Sequence, residues 1–418
     1  MMKTILIVST LDTKGTETFY LRDRITQFGG SPVVLDMSMR PAVGITADIP
    51  SEEVARAAGS TMEEILASTE RARNTTIMTS GAAITALNLL HEGRLDGIIG
   101  IGGSTGSLMA TDVMRALPFG VPKLMVSSTA ALPGMSTRYI DTGDIALMHS
   151  VVEIAGLGDV LKNVIERAAR GICAMADTPP LSSAGKDGGK KAVALTMLGP
   201  CDKCASAVRL ALETKGYQVT GFSAAGIGDR AMEAMVSQRL FDAVIDLAPG
   251  AVMEHLVGGM RDAGPTRMEA AGKAGIPQII STCGVNHITP PKSRYTEDHK
   301  NRRKYDIDRY RTWLRASPDE LRAAARVFAD KLNRAGGPVK IVIPMKGWSS
   351  VDRPGGPTYD PEEDRCFVDE LRKHVFSKIA IMEIDANMEE EAFAQSVISA
   401  VMEILGSSGG VLTARKTA

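Results

Sequence analysis

The chain has 418 residues, 44% of them hydrophobic, and this length exceeds the roughly 100–200 residues of a typical domain, so two domains are expected. Its 48 basic and 49 acidic residues nearly cancel, which excludes a global electrostatic attraction to nucleic acid or to an anionic membrane. No segment approaches the roughly 20 apolar residues of a membrane span, and the apolar N-terminal run meets Asp12 and Lys14 too early for a signal peptide, so a soluble, cytoplasmic protein is expected.

In the first half of the chain, short apolar runs rich in β-branched residues alternate with longer segments of helical pattern. Strands are predicted at Thr4–Ser9, at residues 32–36 and 97–101, and at Lys123–Ser127. Helices are predicted at residues 15–28, 51–58, 62–73 and 108–116. Runs that are apolar on both faces are typical of a buried parallel sheet covered by helices.

The same alternation returns after a stretch rich in Pro, Gly, Ser and charge at residues 177–189, which is typical of a linker. Strands are predicted at Ala192–Met197 and at residues 217–222, 243–247, 278–281 and 340–343, and a helix at 318–335. The sequence therefore predicts two Rossmann-like α/β domains, each a mainly parallel sheet flanked by helices. Their predicted bounds are residues 1–180 and 191–418, with a linker at 181–190.

A glycine-serine loop follows the strand at 97–101 and leads into the helix at 108–116. Glycines let the backbone approach an anion closely, and hydroxyl groups add hydrogen-bond donors, so this loop is predicted to bind phosphate. It is neither a dinucleotide fingerprint, because its third glycine falls one residue late, nor a P-loop, because the chain has no Gly-Lys-Ser/Thr. The alternative is that the glycines merely ease a tight turn. The predicted ligand residues are Gly102, Gly103, Ser104, Thr105, Gly106 and Ser107.

Other loops should reach the same crevice, because ligands of parallel sheets bind at the carboxyl ends of the strands. Asp36 ends the second strand, where an acidic residue commonly binds ribose hydroxyls. Residues 79–81 are expected to open the helix before the glycine-rich strand. Capping of the following helix is the alternative role for the loop after the first strand. The further predicted cofactor residues are Thr10, Asp12, Thr13, Lys14, Asp36, Ser80, Gly81, Ser128 and Thr129.

Four residues of the second half could form a zinc site. Cys201 and Cys204 follow one predicted strand, while Cys283 and His287 follow another, so all four could meet at one edge of the sheet. A single CxxC with scattered partners is a weak metal signature, and buried, inert thiols are the more economical interpretation. The five cysteines, an odd number, argue against a disulfide framework.

A second ligand, an unidentified small molecule, is expected in the second half. Gly228 and Arg230 lie in a loop with two glycines, where an arginine can bind an anion at a helix start. Lys346 and Arg353 lie in a long irregular segment at 344–360, and such segments are usually functional or disordered. These four residues and His287 are the candidate substrate contacts.

The run at residues 299–315 interleaves basic residues with Tyr305, Tyr310 and Trp313. It could contact RNA by stacking and charge. A solvated helix face or a clamp on an anionic ligand explains it more simply, so no nucleic-acid partner is expected.

Several strings, taken in chain order, resemble the family formed by the nucleotide-binding N-terminal region of the tomato tobamovirus-resistance protein and its bacterial and fungal relatives. In the first half they are Leu11-Asp-Thr-Lys-Gly-x-Glu17, Gly100-Ile-Gly-Gly-Ser-x-Gly106 and Asp144-Ile-Ala-Leu-Met-x-Ser150 with Ile154-Ala-Gly-Leu157. In the second half they are Gly226-x-Gly228-x-Arg230-Ala-Met-Glu233, Ala263-Gly-Pro-x-Arg267 and Gly275-Ile-Pro-Gln278. The resemblance implies two Rossmann-like domains, ATP in the N-terminal one, and a homodimer. The chain departs from the family pattern at 201–204, 282–289 and 307–308, so no substrate is carried over to the second domain.

These patterns lead to one functional hypothesis and two alternatives. The chain is expected to bind ATP, with Mg²⁺ as a candidate companion, and to be a candidate phosphotransferase whose base is not identified. The first alternative is a sensor or interaction protein that ATP stabilises without turnover. The second is a zinc- or thiol-dependent hydrolase or lyase that uses the second domain.

Overall fold

The chain folds into two compact domains, which are described separately. The structure, a computed structural model, describes residues 2–42, 44–179 and 190–407. Apart from Lys190, the linker predicted at 181–190 lies outside these residues. Within them, no helix combines the length and the apolar character needed to cross a bilayer.

The N-terminal domain alternates strands and helices. Its elements are β1 (Thr4–Ser9), α1 (Leu11–Gln27), β2 (Ser31–Asp36), α2 (Ser51–Ala57), α3 (Met62–Ala67), α4 (Arg71–His91), β3 (Gly97–Gly102), α5 (Ser104–Ala116), β4 (Lys123–Ser127), α6 (Met135–Ile140), β5 (Ala146–His149) and α7 (Asp159–Ala176).

The strands of this domain form one parallel sheet in the order β2-β1-β3-β4-β5. All six residues of β3 are buried, because α1 and α7 cover one face of the sheet and α2, α4 and α5 cover the other. The chain moves from β1 to β2 on one side and then returns to β3 on the other. The loops that follow β1 and β3 therefore run in opposite directions and leave a crevice at the carboxyl edge.

Close packing explains part of the glycine content of β3. A Cβ added to Gly100 would lie 2.6 Å from Sδ of Met125 and 2.8 Å from Cβ of Ala110, so glycine here lets α5 pack directly on the sheet. This places the start of α5 next to the crevice.

The C-terminal domain begins with the same alternation. Its elements are β6 (Ala192–Met197), α8 (Asp202–Thr214), β7 (Gln218–Ser223), α9 (Ile227–Ser237), β8 (Ala243–Asp246), α10 (Ala251–Val257), α11 (Ala270–Ala274), β9 (Gln278–Ile280), β10 (His287–Ile288), α12 (Glu297–Asn301), β11 (Lys304–Asp306), β12 (Thr312–Arg315), α13 (Pro318–Asn333), β13 (Val339–Pro344), α14 (Pro361–His374), β14 (Ala380–Ile384) and α15 (Glu391–Ser407).

The main sheet of this domain is also parallel, in the order β14-β13-β9-β8-β6-β7. Helices α8 and α15 cover one face, and the other helices of the core cover the opposite face. The first three strands in chain order lie side by side as β7-β6-β8, which is the arrangement of β2-β1-β3 in the N-terminal domain. The predicted fold class, two Rossmann-like domains with mainly parallel sheets flanked by helices, is confirmed.

Two sequence predictions of local structure are wrong. The helix predicted at 62–73 is divided in two, because the buried Asn74 donates hydrogen bonds to the carbonyl oxygens of Ile65 and Ser68 and holds a break between α3 and α4. Residues 79–81 consequently lie inside α4 and do not open it.

The basic run at 299–315 contributes most of an antiparallel sheet, β10-β12-β11, that was not predicted from the sequence.

Substituting Gly81 by alanine should destabilise the N-terminal domain by about 1–3 kcal/mol, because a Cβ there would lie 1.9 Å from the carbonyl oxygen of Val54 on α2. The loss is measured as a lower midpoint of urea unfolding. Ser80→Ala, on the exposed side of the same helix, is the matched control and should unfold like the wild type. Unchanged unfolding of Gly81→Ala would mean that α2 and α4 do not pack this closely.

Candidate functional site

A cavity of about 230 Å³ lies in the crevice at the carboxyl edge of the N-terminal sheet. It is lined by Thr10, Asp12, Thr13, Lys14, Met39, Arg71, Gly103, Ser104, Thr105 and Gly106. The loops after β1 and β3, which were expected from the sequence to share this crevice, therefore both line the cavity.

The start of α5 supplies backbone donors to this cavity. Gly103 is the N-cap of α5, and its carbonyl oxygen accepts the first intrahelical hydrogen bond, from the N–H of Ser107 at 2.8 Å. The three N–H groups before it, from Ser104 to Gly106, precede the first residue that can find an acceptor one turn back. A Cβ on Gly102 would lie 3.3 Å from Cα of Gly106, so glycine keeps this turn tight. The positive end of α5 thus opens into the cavity.

Asp36 organises the loop after β1 and does not line the cavity, where the sequence analysis had placed it as a ribose ligand. Its Oδ1 accepts hydrogen bonds from the N–H of Leu11 at 3.0 Å and from the N–H of Ser38 at 2.9 Å. Ser38 Oγ in turn accepts a hydrogen bond from the N–H of Asp12 at 3.0 Å. Burial raises the pKa of Asp36, while these hydrogen bonds oppose the rise. The carboxyl group therefore fixes the first turn of α1.

Lys14 lines the cavity and is anchored to the loop after β5. Its ammonium donates a hydrogen bond to the carbonyl oxygen of Ile154 at 2.6 Å. One turn later, the buried Glu17 accepts a hydrogen bond from the N–H of Gly156 at 2.6 Å. These two contacts join the first turns of α1 to residues 154–156.

The other hydroxyl residues predicted as ligands are mostly used within the protein. The hydroxyl of the buried Ser107 donates to Ser127 Oγ at 2.7 Å, which also accepts from the N–H of Thr129 at 3.1 Å. Thr129 Oγ1 lies 2.6 Å from the hydroxyl of Tyr139. Ser128 Oγ is buried and has no hydrogen-bond partner within the described residues. Ser107, Ser128 and Thr129 therefore do not line the cavity, and the hydroxyls of Ser107 and Thr129 bond within the protein instead.

Ser80 lines a second cavity, of about 380 Å³, that lies beside the first between α4 and α5. Thr105 lines both cavities. Gly81, by contrast, packs against the backbone of α2. The second cavity is lined by Thr75, Thr76, Thr79, Ser80, Thr105, Leu108, Met109 and Asp112.

Sequence reasoning missed two lining residues, Met39 and Arg71. Met39 follows β2, so the carboxyl-edge rule could have found it. Arg71 begins α4 and reaches the cavity only because the break between α3 and α4 brings the start of that helix to the carboxyl edge. No local sequence pattern predicts that Arg71 lies at the carboxyl edge of the sheet.

The candidate substrate residues of the second domain lie in separate places. A Cβ on Gly228 would lie 2.2 Å from the carbonyl oxygen of Ser223, so this glycine permits close backbone packing. Arg230 lines a cavity of about 360 Å³ on the surface of α9 and α11. Lys346 is exposed and pairs with Asp385 at 2.9 Å, and Arg353 is exposed.

Much of the predicted basic run is neutralised by carboxylates. Arg302 pairs with Glu320 at 2.7 Å, Arg303 pairs with Glu363 at 2.6 Å, and Arg315 is buried. The charges of these arginines are therefore compensated by carboxylates within the domain.

The predicted zinc ligands do not assemble. Cys201, Cys204 and Cys283 are all buried, and the pKa of Cys283 is raised, first by its hydrogen bond with Cys201 and then by burial. His287 instead places Nε2 2.9 Å from the hydroxyl of Thr358. In the part of the chain that the structure describes, no group of three or more His, Cys, Asp or Glu residues could hold a metal ion.

His287 belongs to a buried polar group in the second domain. The amide of Asn286 donates hydrogen bonds to Asp352 at 2.6 Å and to Asp364 at 3.0 Å, and Arg315 donates to Asp364 at 2.6 Å. Burial raises the pKa of Asp364 to about 8; the charge of Arg315 opposes this rise and that of Asp352 adds to it.

Comparison with known proteins gives one family for nearly the whole chain. The family model described as "Uncharacterised protein family (UPF0261) N-terminal domain" matches residues 3–180, and the corresponding C-terminal domain model matches residues 190–405. A UPF0261 protein from Clostridium tetani is 32% identical over 97% of this chain and 100% of its own length. One from Brucella suis is 34% identical over 94% of both chains. The ToMV resistance protein Tm-1 of Solanum lycopersicum is 30% identical over 78% of this chain, but over only 44% of its own length.

Replacing Asp364 by asparagine should change how stability depends on pH. A carboxyl group whose pKa is higher in the folded state stabilises the fold below its unfolded pKa, about 4, and loses that contribution as the pH rises through its folded value. With the folded pKa of Asp364 at about 8, wild-type unfolding free energy should fall between about pH 4 and pH 8 relative to that of the variant.

The measurement is urea unfolding at a series of pH values. The charged and polar groups that face Asp364 are Arg315, Asp352 and Asn286, and they remain in the variant. Asp369→Asn, an exposed position on the same helix, is the control and should parallel the wild type. Parallel curves for wild type and Asp364→Asn would contradict the prediction.

Proposed function

The chain belongs to the UPF0261 family, and we propose that its N-terminal domain binds the phosphate groups of a nucleotide, with ATP as the leading candidate. The observation that carries this proposal is the opening of the α5 N-terminus, from Ser104 to Gly106, into a cavity at the carboxyl edge of a parallel sheet. Ligands of open α/β sheets bind at this edge where the strand order reverses, and the start of a helix favours anions.

The donors around the cavity suit phosphate oxygens. Backbone N–H groups of α5 are joined by the hydroxyl-bearing side chains of Thr10, Thr13, Ser104 and Thr105. Two cationic residues, Lys14 and Arg71, outnumber the single carboxylate, that of Asp12. A planar guanidinium can bind two phosphate oxygens at once, so Arg71 is the residue we assign to the charge-assisted contact.

The second cavity suits the remainder of a nucleotide. It continues from the first at Thr105 and offers both hydroxyl groups, from α4, and apolar surface, from Leu108 and Met109. We assign the ribose and the base to this groove. The hydroxyls of Thr75 and Thr76 already donate to the backbone of α4, so they would serve as acceptors.

Binding is better supported than turnover. Asp12 is the one lining residue of the first cavity with a carboxylate that could hold Mg²⁺ against phosphate or accept a proton from a second substrate. Proton transfer and metal binding are separate tasks, and the lining supplies one group for both. The proposal is therefore a nucleotide site whose lining is built to bind phosphate.

Gly103→Asp should abolish ATP binding while the domain stays folded. The φ of Gly103 is −80° and the nearest atom to an added Cβ, Ser128 Oγ, is 3.9 Å away, so a side chain fits. Aspartate is a preferred N-cap, but its charge would repel phosphate. Gly103→Asn, a similar N-cap without the charge, is the matched control.

The measurement is the thermal shift with ATP, which should correspond to about 2.7 kcal/mol for the wild type at about 100 times Kd. The asparagine variant should retain part of the shift and the aspartate variant none. ADP, NAD and a sugar phosphate serve as comparison ligands. Absence of any ATP shift in the wild type, or an equal shift in the aspartate variant, would overturn the proposal.

Arg71→Gln should weaken ATP affinity about tenfold, equivalent to about 1.4 kcal/mol, because a charge-assisted hydrogen bond to phosphate is lost. Titration calorimetry measures the affinity. Arg73→Gln, an exposed position two residues later that does not line the cavity, should bind like the wild type. An equal loss in both variants would indicate a general charge effect and not a contact by Arg71.

A further inference from the structure

Unpaired buried polar atoms are concentrated in one part of the second domain. In the described chain, the side-chain atoms without a hydrogen-bond partner include Asn286 Oδ1, His287 Nδ1, Asp352 Oδ1 and Asp364 Oδ2. All four residues are at least nine-tenths buried. An unpaired buried polar atom costs about 1–3 kcal/mol, so four in one group indicate a place where a bound molecule completes the hydrogen bonds.

The two carboxyl groups among these residues are joined by two donors, the amide of Asn286 and the guanidinium of Arg315. Asn286 Nδ2 lies 2.6 Å from Asp352 Oδ2 and 3.0 Å from Asp364 Oδ1. Arg315 Nη2 lies 2.6 Å from Asp364 Oδ1, and its Nη1 lies 3.7 Å from Asp352 Oδ1. One amide and one guanidinium thus hold the two carboxyl groups together and leave each with one oxygen that has no hydrogen bond.

His287 is held beside this pair by the irregular segment at 345–360. Its Nε2 lies 2.9 Å from Thr358 Oγ1, and the Thr358 carbonyl oxygen accepts a hydrogen bond from Arg315 at 3.3 Å. Burial, with the charges of Arg315 and Arg261, lowers the pKa of His287 well below its usual range. The imidazole is therefore neutral, and Nδ1 can still form one hydrogen bond.

We propose that Asp352 and Asp364 form a general acid–base pair that binds a small uncharged molecule bearing hydroxyl groups, with Asn286 and His287 completing its hydrogen bonds. The unpaired atoms are mainly acceptors, which require a ligand with O–H or N–H donors. Asp352 would repel an anion. Arg315 would repel a cation, because its Nη1 lies only 3.7 Å from the Asp352 oxygen that has no hydrogen bond. A hydroxyl group avoids both conflicts, because it is neutral and both donates and accepts.

The surroundings of the two carboxyl groups assign their roles. Asp352 Oδ2 accepts hydrogen bonds from the N–H of Trp348 at 2.8 Å and from the amide of Asn286, so its Oδ1 is the oxygen left for a bound molecule. Burial and the negative charge of Asp352 favour the protonated form of Asp364 despite Arg315. These surroundings point to Asp364 as the acid and Asp352 as the base, which is how two close carboxyl groups divide the two roles.

Glycidol, a small epoxide with a hydroxyl group, tests this assignment without knowledge of the natural ligand. The carboxylate of Asp352 attacks an epoxide carbon and forms an ester C–O bond while the ring C–O bond breaks. The epoxide oxygen takes the proton of Asp364 and becomes a hydroxyl group, leaving Asp364 ionised. Labelling is located and timed by mass spectrometry of peptides from the full-length protein.

We expect Asp352 to be labelled faster than the exposed Asp369, and glycerol to slow this labelling in the wild type. Asp364→Asn should slow it about a hundredfold, the typical contribution of a general acid, while Asp369→Asn should leave it unchanged. Circular dichroism confirms that each variant is folded; if Asp364→Asn is not, the glycerol competition in the wild type decides. Labelling of Asp352 no faster than that of Asp369, or no protection by glycerol, would overturn the proposal and show that the unpaired atoms are merely hydrated.

Discussion

The reversal of strand order at β1 is the constraint on which the N-terminal site depends. Because β2 and β3 lie on opposite sides of β1, the loops that leave β1 and β3 diverge and cannot fill the space between them. Gly100 lets α5 lie close on the sheet, so the start of that helix faces this space. The position of the cavity and of the α5 backbone donors follows from this topology, and the residues of the two loops supply the side-chain hydroxyls.

The second domain has the same reversal, between β6 and β8, but uses its carboxyl edge differently. There the residues from Ser281 to Pro290 are all buried, and Asp352 and Thr358 of the segment at 345–360 pack against them. In the first domain the polar groups are backbone N–H groups at a helix start, which can bind anions of different shapes. In the second they are side chains fixed by one another, which suit a particular small molecule. Similar sheets thus carry two chemically different environments.

The fold class could be predicted from the sequence, and so could the shared crevice of the loops after β1 and β3, because apolar runs, glycines and hydroxyls are local signals. The sequence was insufficient where distant residues decide the outcome. The break before Arg71 depends on Asn74 reaching back to two carbonyl groups, and Asp36 binds the loop after β1 across 25 positions of the chain. The group around Asn286 joins residues from four separate segments, which contain His287, Arg315, Asp352 and Asp364. No spacing rule connects such residues, so His287 was the one member of this group predicted from the sequence as a site residue, as a candidate substrate contact and a candidate zinc ligand.

The contacts of Lys14 and Glu17 with residues 154–156 have a consequence for the neighbouring turn. Val151, a β-branched and largely exposed residue, has a φ of +66°, a left-handed conformation that costs an ordinary residue roughly 1–2 kcal/mol. Ser150 holds one side of this turn through the carbonyl of Ser127, and the ammonium and carboxylate of α1 hold the other. These contacts hold the turn in its strained conformation, and one of them is made by Lys14, which also lines the cavity. A ligand that competes for the Lys14 ammonium would therefore remove one of the contacts that hold Val151 in its left-handed conformation.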